Sequence, residues 1–237
     1  MLKDIFDRLF RQTASLSAAE RDRLDAWRQQ VAPASTTEFA SIRCVVVDLE
    51  TTGLDLRGDQ LIAIGAVAVK GGQIDLNDSF EIILQQPAAS DKNNILIHGI
   101  GGTAQTEGVP PAETLLSFLE FLGKDPLVAF HASFDEIMLK RALWRFLNVN
   151  FAHPWLDLAY LMPGLYPQLA QKYRALDDWA LHFRIPNYAR HNALADAHAT
   201  AQLFLIALGQ AAQQGLHRFS DLQDMEKAQR WASRSNV

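Results

Sequence analysis

The sequence has one cysteine, Cys44, in 237 residues. A lone thiol excludes an internal disulfide, and with it a zinc site built from several Cys and His ligands. Long apolar runs are missing too. The longest, from Leu61 to Val69, falls well short of the roughly 20 residues that span a bilayer. The opening MLKDIFDRLFRQ mixes acids and bases through its apolar positions, unlike the apolar stretch of an export signal. These absences predict a cytoplasmic protein with no membrane contact. Positive charge is also scarce, with 22 Lys and Arg against 27 Asp and Glu and a net charge of −5. That argues against a protein that coats long duplexes, whose affinity comes from many cation–phosphate contacts. It is compatible with an enzyme that grips a few nucleotides, because carboxylates gathered for metals add negative charge that bound cations reverse.

The residues that are present, 49% of them apolar, suffice for one well-cored domain and an appendage. Leu2, Ile5, Phe6, Leu9 and Phe10 share one stripe of a helix. Ser17-x-x-Glu20 is a capping-box pattern that opens a second helix, with Leu24, Trp27 and Val31 on its apolar face. The stretch from Ala32 to Ser41 has the composition of a linker. Beyond it, Cys44 to Val47, Leu61 to Val69 and Ser79 to Leu84 read as strands. The Gly71-Gly72 turn joins the last two, so the three form an antiparallel meander. Strand then alternates with helix. Pro110-Pro111 opens a helix through Leu122, Leu127 to Phe130 is a short buried strand, and Phe134 to Phe146 is helical. Trp155 to Leu158 is a strand running into a helix, followed by helices at Leu176 to Phe183, Ala193 to Leu208 and Leu222 to Trp231. The fold class is α/β, a mixed sheet flanked by helices. The expected units are a helical extension and linker over 1–41, a main domain over 42–209 and a helical tail over 210–237.

Acids stand out at three places. In Asp48-Leu49-Glu50-Thr51-Thr52-Gly53, at the end of the first strand, side chains two apart face the same way, so Asp48 and Glu50 project together. Two adjacent carboxylates raise each other's pKa, and a cation between them relieves the repulsion. In His131-Ala132-Ser133-Phe134-Asp135 the acid falls in the first turn of a helix, where a negative charge is favourable even without a ligand. In His191-Asn192-Ala193-Leu194-Ala195-Asp196 it opens a helix whose alanines at 193, 195, 197, 199 and 201 keep it slim enough to lie close to the sheet. Asp157 reads as a helix cap, and His131 and His198 as structural. Lys172, Arg174, Arg184 and Arg190 form either a phosphate-contacting cluster or a solvated face.

D-L-E-T-T-G, then H-A-S-F-D, then H-x-A-x-x-D, in that order, resembles the three motifs of the DEDDh (DnaQ-like) 3′→5′ exonuclease family, which includes the epsilon proofreading subunit of DNA polymerase III. The resemblance runs from about Arg43 to Gly209. It implies a ribonuclease H-like five-stranded mixed sheet. It further implies metal binding by Asp48, Glu50, Asp135 and Asp196, two divalent cations (Mg²⁺ or Mn²⁺), and His191 as general base. Such an all-oxygen cage suits hard cations, and histidine changes charge near neutral pH. By the same resemblance Thr51, Thr52, Leu54, His98 and Ile100 meet the terminal nucleotide. The chain departs from the family pattern at Gly101, where Thr is common, and at Leu49, which replaces another Thr. The implied partners are single-stranded DNA or RNA 3′ ends. The N-terminal helices fall outside the resemblance: their apolar stripes are expected to pack onto the main domain or onto each other, with docking of a protein partner or a membrane surface as the alternative. The short stretch after Gly209 lacks a long polymerase tether, which favours a free-standing enzyme. DNA is the favoured substrate. RNA-end trimming is the alternative, and a non-catalytic nucleic-acid-binding module is disfavoured because all four acids and His191 are present.

Overall fold

The β-branched run Val45-Val46-Val47 lies in the middle strand of the sheet. In the computed structural model, which describes residues 16–186 and 189–234, this strand is β1 (Arg43–Thr51). Strands β2 (Leu61–Lys70) and β3 (Gln73–Ile83) follow as the expected meander, turning at Gly71 and Gly72, both of positive φ. Strands β4 (Leu127–Ala129) and β5 (Trp155–Asp157) then add in parallel on the other side, giving the order β3-β2-β1-β4-β5. β3 begins six residues before Ser79, because a register shift between Val67 and Ala68 lets Gln73 to Asp75 pair with the end of β2.

The alternation of β1 divides the core between two faces. Val45, Val47 and Leu49 face α4 (Pro111–Leu122) and α5 (Ala132–Leu147), together with α1 (Ala18–Gln29). Cys44 and Val46 face α6 (Leu158–Leu165), α7 (Leu176–Phe183), α8 (Ala193–Gln213) and α9 (Phe219–Arg234). Each buried aliphatic side chain contributes about 1.5–3 kcal/mol relative to exposure, so a β1 covered on both faces is well anchored. Two short helices were not expected from the sequence: α2 (Lys92–His98) and α3 (Gly102–Thr106).

The Ser17 capping box is present, with Glu20 N–H on the Ser17 hydroxyl and Ser17 N–H on the Glu20 carboxylate. α1 buries Leu24 and Trp27, its Arg23 pairs with Glu113 and Glu120 on α4, and Trp27 Nε1 donates to the Gly123 carbonyl. Val31 departs from the expectation. The helix ends at Gln29 because Gln30 is extended, and Val31 is left 91% exposed. The Leu2 to Phe10 stripe lies outside the described residues. The linker is fastened to the corner before α9: Phe39 N–H donates to the His217 carbonyl, Phe219 N–H to Thr37, and Ser220 N–H to Ser35. No helix among the described residues is long and apolar enough to cross a membrane.

Candidate active site

Asp48 and Glu50 lie on the β1 face that looks towards α8, and Asp48 pairs across the ladder with Gly65 of β2. A Cβ on Gly65 would come within 2.1 Å of the Ala193 backbone carbon and 2.2 Å of Leu194 N. Only glycine therefore allows the first turn of α8, which carries Asp196, to rest against the strand. Ala193, Ala197, Ala199 and Ala201 are buried, and Ala195 is half-buried. The result is a cluster in which ligand oxygens of Asp48, Glu50 and Asp196 lie within 4.8 Å of one another.

Asp135 enters from the opposite side. β1 runs past the end of β4, and the nearby backbone N–H groups of Leu49 and of Asp135 itself favour the charged form of the Asp135 carboxylate. Asp135 is buried in the first turn of α5, as expected, and its charge acts on Asp48. Burial, with the repulsion of Asp135, Glu50 and Asp196 added, raises the Asp48 pKa well above the usual carboxylate range. Burial, then the charge of Asp196, pushes Glu50 up to about 8. Burial likewise pushes Asp135 to about 8, despite the two N–H groups. The Glu50 Oε1 atom is buried without a hydrogen-bond partner among the described residues. Crowded, desolvated carboxylates with an orphan oxygen fit a divalent cation better than they fit one another.

The rim near α8 is built from a turn. His191 is exposed, and its N–H donates to Asp196 Oδ2 at 2.9 Å. Asn192 caps α8 by accepting the Ala195 N–H. Of the four basic residues in question, all are exposed, and Arg190 alone also reaches the acidic cluster with its guanidinium. Its Nη1 lies 2.5 Å from Asp196 Oδ2 and its Nε 2.7 Å from Asp177. The attraction of two carboxylates outweighs the solvation Arg190 would have on an open face. Both motif histidines, His131 at φ 62 and His191 at φ 61, hold left-handed backbone, a conformation that costs a non-glycine residue about 1–2 kcal/mol.

Asp157 does cap α6, through the Ala159 N–H, and it also accepts the His131 N–H at 2.9 Å. Arg230 of α9 reaches it at 3.2 Å and donates to the Ser133 hydroxyl at 3.1 Å. The C-terminal helix thus braces the turn that leads to Asp135. Arg230 was missed by sequence reasoning, and a side chain 73 positions from its partner leaves no local pattern to find it by.

Beyond Glu50, Thr51 donates to the Gly53 carbonyl and Thr52 to Asp59, so both hydroxyls are engaged within the loop. Leu54 is 84% exposed at the loop tip. His98 is buried: Ile100 N–H donates to its Nδ1, so Nε2 carries the proton and meets Asn94 Oδ1 at 2.7 Å. Asn94 in turn donates to the Thr51 carbonyl. His98 therefore joins the half-buried Ile100 to the end of β1 and does not itself face solvent. Gly101 is the N-cap of α3 and makes no side-chain cap, the contact a threonine hydroxyl would supply. Leu49 is buried in the core.

A mixed five-stranded sheet with acids at the end of its central strand and on the two helices that close over it defines a ribonuclease H-like nuclease fold. An exonuclease family model, RNase_T, matches residues 45–204. The chain belongs to this family, and is of the DEDDh, DnaQ-like kind. DNA polymerase III PolC-type of Bacillus subtilis is 34% identical over 181 residues, 76% of this chain but 12% of the polymerase, so the chain spans a small fraction of that relative. Among solved structures, E. coli exonuclease I in complex with a dT13 oligonucleotide superposes with a TM-score of 0.62 at 16% identity, covering 73% of this chain and 42% of that one. Exonuclease X in complex with 5′ overhanging duplex DNA gives 0.61 at 18% identity, covering 77% and 99%.

Proposed function

We propose that this chain is a 3′→5′ exonuclease that hydrolyses single-stranded or frayed nucleic-acid 3′ ends, DNA in preference to RNA, and releases nucleoside 5′-monophosphates. The observation that carries the reading is the convergence of Asp48, Glu50 and Asp196 oxygens within 4.8 Å, beside the buried Asp135. In this reading the four acids hold two divalent cations, Mg²⁺ or Mn²⁺. When bound, such ions polarise the scissile phosphate, favour deprotonation of the attacking water and stabilise the leaving 3′ oxygen.

The chain's own residues do the rest. Asp48 and Glu50 present their oxygens from a strand whose position is fixed by packing on both faces. Asp135 is held buried in the first turn of α5, and Asp196 is oriented by the His191 N–H. The exposed His191 ring accepts the proton of the attacking water. Leu54, projecting from the loop after Glu50, lies against the face of the terminal base, an apolar contact that any base satisfies. The preference for DNA is supported by the PolC-type relative and by the exonuclease I and X structures, whose ligands are DNA. The reading takes 42–209 as the exonuclease domain and the helices on either side as its supports.

Digestion of 5′-labelled DNA and RNA oligonucleotides with Mg²⁺, Mn²⁺ or EDTA tests it. A ladder that shortens from the 3′ end only with metal, faster on DNA, is expected. Asp135→Ala and Asp196→Ala should abolish the ladder. His191→Ala should slow turnover about 100-fold or more while sparing metal affinity, since its part is proton transfer. Digestion by the Asp variants equal to wild type would remove the assignment.

A further inference from the structure

We propose that Arg141 is a positioning residue that fixes the 52–60 loop, and with it Leu54, at a set distance from Asp135. The inference rests on the proposed nuclease reading, in which Leu54 meets the terminal base.

The loop is wired internally. Thr52 N–H donates to the Gln60 carbonyl, Thr52 Oγ1 and Asp55 N–H both donate to the Asp59 carboxylate, and Asp55 accepts from Arg57 and Gly58. Those bonds set its shape and leave its attachment to the rest of the molecule to other contacts. A groove of about 780 Å³, lined among others by Asp59, Gln60, Met138, Ala142 and Arg145, separates the loop's return limb from α5. The groove leaves room between the loop and α5 that polar contacts must bridge. Arg141 spans the gap: Nη1 donates to the carbonyls of Leu56 and Asp59, and Nη2 to that of Arg57 at 2.8 Å. One planar guanidinium, with donors in a fixed fork, gathers three carbonyls of one loop. One turn further on, Arg145 donates to the Gln60 side chain, which holds the Gly58 carbonyl.

Arg141 and Asp135 belong to the same helix, six residues and about 9 Å of rise apart. The loop that carries Leu54 is thus referenced to the element that carries a metal-binding acid. Leu54 itself is 84% exposed and cannot fix its own position. A base seated against it inherits its location from Arg141.

The test uses the full chain with Arg141→Ala and Arg141→Lys. Steady-state digestion of a 5′-labelled DNA oligonucleotide should show KM raised about tenfold by Arg141→Ala with kcat within about threefold of wild type, the pattern of lost binding without lost chemistry. Trypsin reads the loop directly, because Arg57 is exposed and its carbonyl is held by Arg141. Cleavage after Arg57 should rise about tenfold or more at unchanged Tm, as expected for local release of a loop. Arg141→Lys, which places one ammonium where a fork stood, should fall between. Unchanged KM and unchanged cleavage after Arg57, or a fall in kcat alone, would overturn the proposal. If wild type shows no metal-dependent digestion, the nuclease reading fails, and the trypsin result still decides whether Arg141 anchors the loop.

Discussion

Asp48 and Glu50 stand on β1, the middle strand of the sheet, whereas Arg190 and His191 stand on the turn leading into α8. The strand side is packed on both faces and braced by Asp135 from α5. The turn side is exposed, adopts left-handed backbone at His191 and presents a guanidinium to Asp196 at 2.5 Å. The contrast separates two tasks. Ligands for cations gain from rigidity, because their repulsion is then already in place before binding. In the proposed reading, a group that transfers protons and a cation that yields its place need freedom to move.

The largest test of this contrast strikes the seam between the two sides. Gly65→Val drives a side chain into the Ala193 backbone, where even a Cβ would stand 2.1 Å away. Displacing α8 should lower kcat/KM by about 100-fold or more and cost roughly 1–3 kcal/mol of stability. Near-wild-type kinetics would mean that Asp196 does not depend on close approach.

A second test concerns charge. Glu50 and Asp135 are pushed to about 8 from ordinary values of 4.5 and 3.8. The metal-free fold therefore retains protons that the unfolded chain has released across roughly pH 4 to 8, and its stability falls as pH rises through that window. If the site binds Mn²⁺ as proposed, the ion would replace those protons and should stabilise more at pH 8 than at pH 5. At about 100 times Kd it adds about 2.7 kcal/mol, or roughly 5–11 °C in Tm. A metal-free Tm that stays flat from pH 5 to 8 would contradict the crowded wall.

The smallest effect belongs to the turn. Arg190→Ala removes the cation paired with Asp196; if that pairing competes with metal as proposed, Mn²⁺ affinity measured by calorimetry should rise about three- to tenfold, on the scale of about 1 kcal/mol for a partly exposed pair. Weaker binding would show that Arg190 supports the site and does not compete for it.

Much of this arrangement was legible in the chain. Asp48 and Glu50 share a face because a strand repeats every two residues, and Ser17 with Glu20 announced a helix end by local chemistry alone. The slim face of α8 was readable from its alanines, while its counterpart Gly65 was hidden in the apolar run from Leu61 to Val69. An isolated glycine in a strand is itself a sign of close approach, so that signal was available. α2 and α3 were missed because seven and five residues are too few to show a period. The reach of Arg190 to the acidic cluster and that of Arg230 to Asp157 are tertiary facts, set by charges distant in sequence, and no local pattern encodes them.

The zip between residues 35–39 and 217–220 bears on how the protein can be dissected. Its two segments flank the sheet and its helices in the sequence, so deleting everything before Ser41 to study the remainder without its leading helix also unbuttons the approach to α9. Since α9 carries Arg230, the loss would propagate to Ser133 and Asp157. A modular dissection of this chain must cut before Ser35, keeping the seam whole.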